Sequence, residues 1–153
     1  MKIFMKILIF ENKNPMQKIE HIGIAVKDLQ EAEKRFAQLL GTESYKREEV
    51  ESEGVITSFF QVGESKIELL FATRPESPIQ KFIDKKGEGI HHIAFEVENI
   101  EEKIEELKEK GFRLINETPK DGADNKQIAF VHPKSTGGIL VEICMEKKPD
   151  DRC

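Results

Sequence analysis

Four residues in this chain have the types and placement for divalent-metal chemistry: His21, Glu68, His92 and Glu142. Neutral imidazole suits Zn²⁺, Co²⁺, Ni²⁺ and Mn²⁺, and two carboxylates balance the charge of one such ion. Glu68 stands between Ile67 and Leu69, and Glu142 between Val141 and Ile143. A lone carboxylate in an apolar strand is costly unless it is paired or bound to a cation. Taken singly, a His at a strand start is ordinarily structural or exposed, and a Glu in an edge strand ordinarily faces water. The four carry weight as a set, because they occupy matching places in a sequence written twice.

The run Ile90-His91-His92-Ile93-Ala94-Phe95-Glu96-Val97 restates Ile19-Glu20-His21-Ile22-Gly23-Ile24-Ala25-Val26. His21 falls on His92, Asp28 on Asn99 and Leu29 on Ile100, all at an offset of 71 positions, and Glu68 falls on Glu142 at an offset of 74. Each half therefore has one His near its start and one Glu 47 or 50 positions later. Two copies imply a doubled module with a pseudo-two-fold axis, and not a solenoid. The alignment with His21 selects His92 over its neighbour His91. His132 precedes a Pro, has no counterpart in the first half, and reads as a loop or substrate contact.

The elements that must position these residues follow from periodicity. Residues 19–26 read as a strand, followed by Asp28 as a helix cap with Glu31 three places on. Leu29, Ala32, Phe36, Leu39 and Leu40 recur at helical spacing, and Gly41 stops the helix. Residues 42–50, 54–62 and 66–73 have strand character. In the second half a strand over 90–97 leads to the cap Asn99 with Glu102, a stripe of Ile100, Ile104 and Leu107, and a stop at Gly111. Strands are expected at 112–117, 127–132 and 138–145. The result is α+β: two tandem βαβββ modules, 18–73 and 90–147, joined by a bridge at 74–89 that holds a short helix over 79–85. Their helices should lie on one side and their sheets curve around a shared metal cleft, within a single domain over 18–147. Residues 1–17 form an N-terminal extension, of which 1–15 read as an extra edge strand or an upstream misassigned start. Residues 148–153 read as a disordered tail.

Bulk composition narrows the partners. At 153 residues the chain can bury one core shared by both modules. A net charge of −5 argues against nucleic acid as a partner, while local lysines could still hold an anionic substrate. No stretch approaches the roughly 20 apolar residues of a membrane span, and the apolar start lacks a signal-peptide cleavage site. Two cysteines near the C-terminus make no disulfide framework, so the cytoplasm is the expected compartment.

The chain resembles the vicinal-oxygen-chelate (glyoxalase) superfamily, and within it the methylmalonyl-CoA epimerase branch. The resemblance runs from about Lys18 to Lys147. It is carried by His21-Ile22-Gly23-Ile24-Ala25-Val26, by Lys66-Ile67-Glu68-Leu69-Leu70, by Gly89-Ile90-His91-His92-Ile93-Ala94-Phe95, and by His132-Pro133-Lys134 through Val141-Glu142. The double-His run and the His-Pro-Lys turn are specific to the epimerase branch.

The resemblance implies a glyoxalase-like fold and one divalent metal ion (Co²⁺, Mn²⁺, Ni²⁺ or Zn²⁺) held by His21, Glu68, His92 and Glu142. It also implies an acyl-CoA substrate and a homodimer. In one respect the chain departs from the branch: some members carry a basic Glu where this chain has Thr57, and a Gln where it has Glu68. The two bases that an epimerase needs are then assigned to Glu68 and Glu142, one from each module, with Glu48, Glu49 and Glu51 as fallbacks. Lys120, Lys126, Lys134 and His132 are candidate substrate contacts. The same ligand set fits glyoxalase I, a lyase acting on the glutathione adduct of methylglyoxal. A metal-free binding protein of this fold would be expected to have lost the four ligands.

Overall fold

The computed structural model describes residues 14–149. In chain order the elements are β1 (Lys18–Ala25), α1 (Leu29–Leu40), β2 (Lys46–Val50), β3 (Val55–Val62), β4 (Ser65–Ala72), α2 (Pro78–Lys86), β5 (Gly89–Glu96), α3 (Ile100–Glu109), β6 (Lys120–Gly122), β7 (Lys126–Val131) and β8 (Val141–Glu146). The expectations for residues 1–13 and 150–153 lie outside the described residues.

Both module helices begin where the caps predict. The Asp28 carboxylate accepts the Glu31 N–H and the Asn99 amide oxygen accepts the Glu102 N–H, each at 3.1 Å. Each satisfies a donor that the helix itself leaves free, and replacing either cap with Ala should cost about 1 kcal/mol. Gly41 closes α1 with φ 72°, a left-handed turn that glycine adopts without a steric penalty. In the bridge, Ser77 caps α2 by accepting the Ile79 N–H, and Pro78 occupies the first turn, where a missing N–H costs nothing.

The eight strands form one curved sheet in the order β2-β3-β4-β1-β5-β8-β7-β6. Each module contributes four adjacent strands. β1 runs parallel to β4, and β5 runs parallel to β8. The modules join through the antiparallel pair β1–β5 at the centre, where the pseudo-two-fold axis passes. α1 buries Leu29 and Ala32 against Phe60 and Leu69. α3 buries Ile100, Ile104 and Leu107 against Ala129, Val131 and Ile143. Burying a Leu or Ile side chain contributes about 1.5–3 kcal/mol, so these two stripes fix which face of the sheet the helices cover. Strand alternation then turns Glu68 and Glu142 to the opposite face.

Three strands depart from the sequence reading by three residues or more, the last of them beginning at Val141 where 138 was expected. The strand expected over 112–117 is reduced to a single bridge, Leu114 with Val131. Asn116 is the physical reason: its side-chain oxygen accepts the Phe130 N–H at 2.9 Å, taking a donor that a continued ladder would use. Pairing resumes at β6, which meets β7 from Lys120↔Ile128 to Gly122↔Lys126. In the first module β2 begins at Lys46, four residues later than expected, after a turn in which Ser44 Oγ donates to the Lys46 carbonyl.

Candidate active site

The central β1–β5 ladder sets the site. His21 is paired with Ala94, and Gly23 with His92. On the parallel side of each strand, Gly23 is paired with Glu68 and Ala94 with Glu142. Gly23 and Ala94 are themselves equivalent under the offset of 71. Each module thus places a small residue at the centre, with the other module's His across from it and its own Glu alongside.

Two β-bulges adjust this ladder. β1 advances from Ile19 to His21 while β5 moves only from Phe95 to Ala94, so Glu20 is an extra residue. β5 covers Ile90 to His92 against Ile24 and Gly23, so His91 is the extra residue there. A bulge breaks the strict alternation and re-aims a side chain. It lets Glu20 and His21 both point inward: Glu20 is 2% exposed and His21 4%.

The geometry at the centre is tight. His21 Nε2 lies 2.9 Å from His92 Nε2. Glu142 Oε2 is 3.3 Å from His21 Nε2, and Glu142 Oε1 is 3.7 Å from His92 Nε2. Although within ion-pair range of His21, Glu142 Oε2 is buried with no hydrogen-bond partner among the described residues. The second nitrogen of His21, Nδ1, is 3.0 Å from Glu20 Oε1 and 3.0 Å from Glu68 Oε2. His92 Nδ1 is 3.0 Å from His91 Nδ1.

The electrostatics favour positive charge here. Burial alone would depress His21, but the carboxylates of Glu68, Glu20 and Glu142 overcome it and raise its pKa to about 10. Burial pushes Glu142 up to about 7, against the pull of His21. Burial, with His21 and His91 nearby, drives His92 well below its ordinary value. Glu20 is raised by burial, yet its hydrogen bond with His21 and the charge of Lys66 hold it at about 2. A buried group of two imidazoles and two carboxylates, with an unpartnered carboxylate oxygen, has the donor set of a divalent transition-metal site. His21, His92 and Glu142 converge on one point, and Glu68 stands on the other side of the His21 ring.

These residues open into a cleft of about 310 Å³, walled by apolar side chains including Leu70, Ile79, Phe130 and Leu140. Thr57, Lys120 and Lys126 also line it, whereas His132 and Lys134 are not on its wall. His132 instead caps the 3₁₀ turn after β7, its Nδ1 accepting the Lys134 N–H at 3.1 Å. Of the acidic fallbacks, Glu48 is engaged by Lys46 and by the Asp124 N–H. Glu48, Glu49 and Glu51 stand off the wall, and Glu53 reaches it. At the mouth, Lys120 pairs with Glu53 at 3.0 Å. Asp124, in the β6–β7 turn, accepts from Lys46 at 2.6 Å and Lys66 at 2.5 Å. Sequence reasoning missed Glu20, whose one visible signal was its place directly before His21. It also passed over His91 in favour of His92.

Residues 20–130 match the model of the glyoxalase/bleomycin resistance protein/dioxygenase superfamily. The chain is 39% identical over 128 residues to the ethylmalonyl-CoA/methylmalonyl-CoA epimerase of Cereibacter sphaeroides, covering 82% of this chain and 96% of that protein. It is 39% identical over 127 residues to the human mitochondrial methylmalonyl-CoA epimerase, covering 82% of this chain and 72% of that one. Among solved structures, a Streptomyces coelicolor methylmalonyl-CoA epimerase in complex with 2-nitronate-propionyl-CoA superimposes with a TM-score of 0.82 at 31% identity, covering 88% of this chain and 100% of the other.

Proposed function

The chain belongs to the glyoxalase/bleomycin resistance protein/dioxygenase superfamily and, within it, to the methylmalonyl-CoA epimerases, and from that premise we propose that it interconverts (R)- and (S)-methylmalonyl-CoA by metal-dependent proton exchange at C2. The observation that carries this reading is the symmetric delivery of Glu68 and Glu142 to either side of the facing His21–His92 pair. Relatives named as epimerases of this substrate support it.

His21, His92 and Glu142 would hold one divalent cation at the facing Nε2 atoms, and Glu68, which meets His21 Nδ1 at 3.0 Å in this structure, would turn to it as the fourth ligand. The buried, unpartnered Glu142 Oε2 and the convergent Nε2 atoms fit such an ion. When bound, the ion supplies Lewis acidity, lowering the cost of negative charge on a thioester oxygen.

The protein's own residues then account for the proton. A carboxyl group near neutrality can both accept and return one, and burial raises Glu142 above the ordinary carboxylate range before any ion is bound. Glu68 and Glu142 come from opposite modules, so one removes the C2 proton from one face and the other delivers a proton to the opposite face. The apolar walls around Leu70, Ile79 and Phe130 exclude water from the planar intermediate. Lys120, which lines the cleft, would meet an anionic part of the CoA group, exchanging its pairing with Glu53 for it. We also propose that the protein is a cytoplasmic homodimer; sedimentation velocity of the purified protein checks the dimer, and cell fractionation checks the compartment.

The test is loss of the C2 proton signal of methylmalonyl-CoA in D₂O, followed by NMR with protein as purified, stripped by chelator, and resupplied with Co²⁺. Rapid exchange that depends on the ion is the expected result. Absence of exchange with any ion would sink this reading. Turnover of the methylglyoxal–glutathione adduct under the same conditions would instead make the protein a glyoxalase I.

A further inference from the structure

The two bulge residues, Glu20 and His91, are related by the same offset of 71 that relates His21 to His92. Each stands directly before a site imidazole and meets that imidazole's Nδ1 at 3.0 Å. In both modules, therefore, the pairing irregularity brings a polar side chain to the nitrogen that faces away from the other ring. The two Nε2 atoms face each other at 2.9 Å.

We propose that Glu20 and His91 are positioning residues that fix Nδ1–H on His21 and His92, so that both rings present a bare Nε2 to the cation. This rests on the metal reading above. A carboxylate can only accept from a neutral imidazole, so Glu20 requires the His21 proton to sit on Nδ1. Glu68 Oε2 also stands 3.0 Å from this Nδ1; once Glu68 turns to the cation, Glu20 is the acceptor left for that proton. Between His91 and His92 one ring must donate and the other accept. With His92 Nε2 turned to the site, the donor is His92 Nδ1–H and the acceptor is His91 Nδ1. An outer hydrogen bond of this kind holds the ligand ring in orientation and makes its free nitrogen a better donor, and its loss ordinarily weakens metal binding about 10- to 100-fold.

The surroundings hold both positioning residues in place. Glu20 is anchored by Lys66 at 3.2 Å and faces Lys126 at 4.0 Å, one lysine from each module. The His91 ring packs edge-on against Phe82 of α2, with centroids 5.0 Å apart.

The experiment uses the full chain. Zn²⁺-loaded protein labelled with ¹⁵N is examined by long-range ¹H–¹⁵N NMR for the ring protons of His21 and His92, and Co²⁺ affinity is measured by direct titration. Wild-type protein should show Nδ1–H on both rings. His91→Phe keeps the ring that packs on Phe82 but has no acceptor; it should lose the slowly exchanging His92 Nδ1–H and bind Co²⁺ at least tenfold more weakly. His91→Gln, which retains an accepting oxygen, should stay within about threefold of wild type. Glu20→Leu, which has no acceptor, should likewise lose the His21 Nδ1–H and weaken Co²⁺ at least tenfold, and Glu20→Gln, which keeps an accepting oxygen, should stay within about threefold. Metal bound through Nδ1 of either ring in the wild type would overturn the proposal. So would His91→Phe and Glu20→Leu variants that keep both the Nδ1–H signals and the affinity. Correct ring protons and Co²⁺ binding without C2 proton exchange would leave this inference standing and remove the epimerase reading alone.

Discussion

A methyl group added to Gly23 would lie 2.3 Å from Cε1 and 2.6 Å from Nδ1 of His92. The two residues face each other across the β1–β5 ladder, and the imidazole fills the space a side chain at position 23 would need. The equivalent place in the second module carries Ala94, opposite His21.

Gly23→Ala should therefore displace the His92 ring and leave the backbone in place. The expected outcome is a folded protein whose Co²⁺ affinity is at least tenfold lower and whose exchange rate falls with it. Ala94→Gly, the mirror change, adds no atoms and should leave Co²⁺ affinity close to wild type. Titration of both variants, with circular dichroism as the check on folding, decides the matter. Wild-type affinity in Gly23→Ala would show that the ring moves without consequence.

Glu68→Gln and Glu142→Gln separate the two faces of the reaction. Each should reduce conversion of one enantiomer into the other by about 10²- to 10⁴-fold, the usual contribution of a positioned acid–base group. At Co²⁺ concentrations that saturate each variant, each should also still wash deuterium into one enantiomer, because the remaining carboxylate exchanges the proton on its own face. Chiral analysis of recovered substrate after incubation in D₂O distinguishes this from loss of both activities. If both variants keep full conversion, the assignment of bases is wrong.

Removal of the ion should cost stability as well as activity. A ligand that binds only the folded state at a hundred times its Kd stabilises by about 2.7 kcal/mol. Denaturant unfolding of chelator-stripped protein, with and without Co²⁺ at that ratio, should show an increment of this size. Glu142→Gln should lose most of it, since Glu142 Oε2 is buried without a hydrogen-bond partner among the described residues. An increment unchanged in that variant would place the ion elsewhere.

Asp124 predicts an acid limb. Burial raises its pKa, but hydrogen bonds from Lys46 and Lys66 outweigh it and hold it at about 2, below an ordinary 3.8. A carboxyl with a depressed folded value contributes stability that is fully present above its unfolded pKa. That contribution is lost as pH falls toward the folded value. Asp124→Asn should therefore be less stable than wild type at pH 6, and the gap should narrow as pH falls from about 4 to about 2. Asn is the appropriate replacement because residue 124 has φ 59°, which Asn tolerates. Denaturation midpoints that run parallel down to pH 2 would rule out the Asp124 ion pairs with Lys46 and Lys66 as a source of this stability.

Much of the architecture was legible because it was written twice. The caps Asp28 and Asn99, the apolar stripes of α1 and α3, and the isolated glutamates in apolar strands each state a local preference. The two copies agreed on all of them. What was not legible depends on pairing. Glu20 becomes a buried partner of His21 only because β1 bulges against β5, and register between two strands is not encoded in either strand alone. The expected strand over 112–117 failed for a similar reason. Asn116 has ordinary composition for a loop or an edge, and its capture of the Phe130 N–H appears only once β7 lies beside it.

The charge contacts at the cleft mouth have a mechanical meaning. β2 and β6 are the outermost strands of the sheet, and around them Lys46 and Lys66 meet Asp124, and Glu53 meets Lys120, through side chains. The curved wall consequently has a seam, stitched by ionic groups where the neighbouring strands are joined by peptide hydrogen bonds. Parting such a seam sacrifices partly solvated ion pairs, which water and salt can replace, and leaves each backbone ladder whole. A bulky acyl-CoA could thus be admitted at the boundary between the modules while the His21–His92 pair, on the far side of both half-sheets, keeps its alignment.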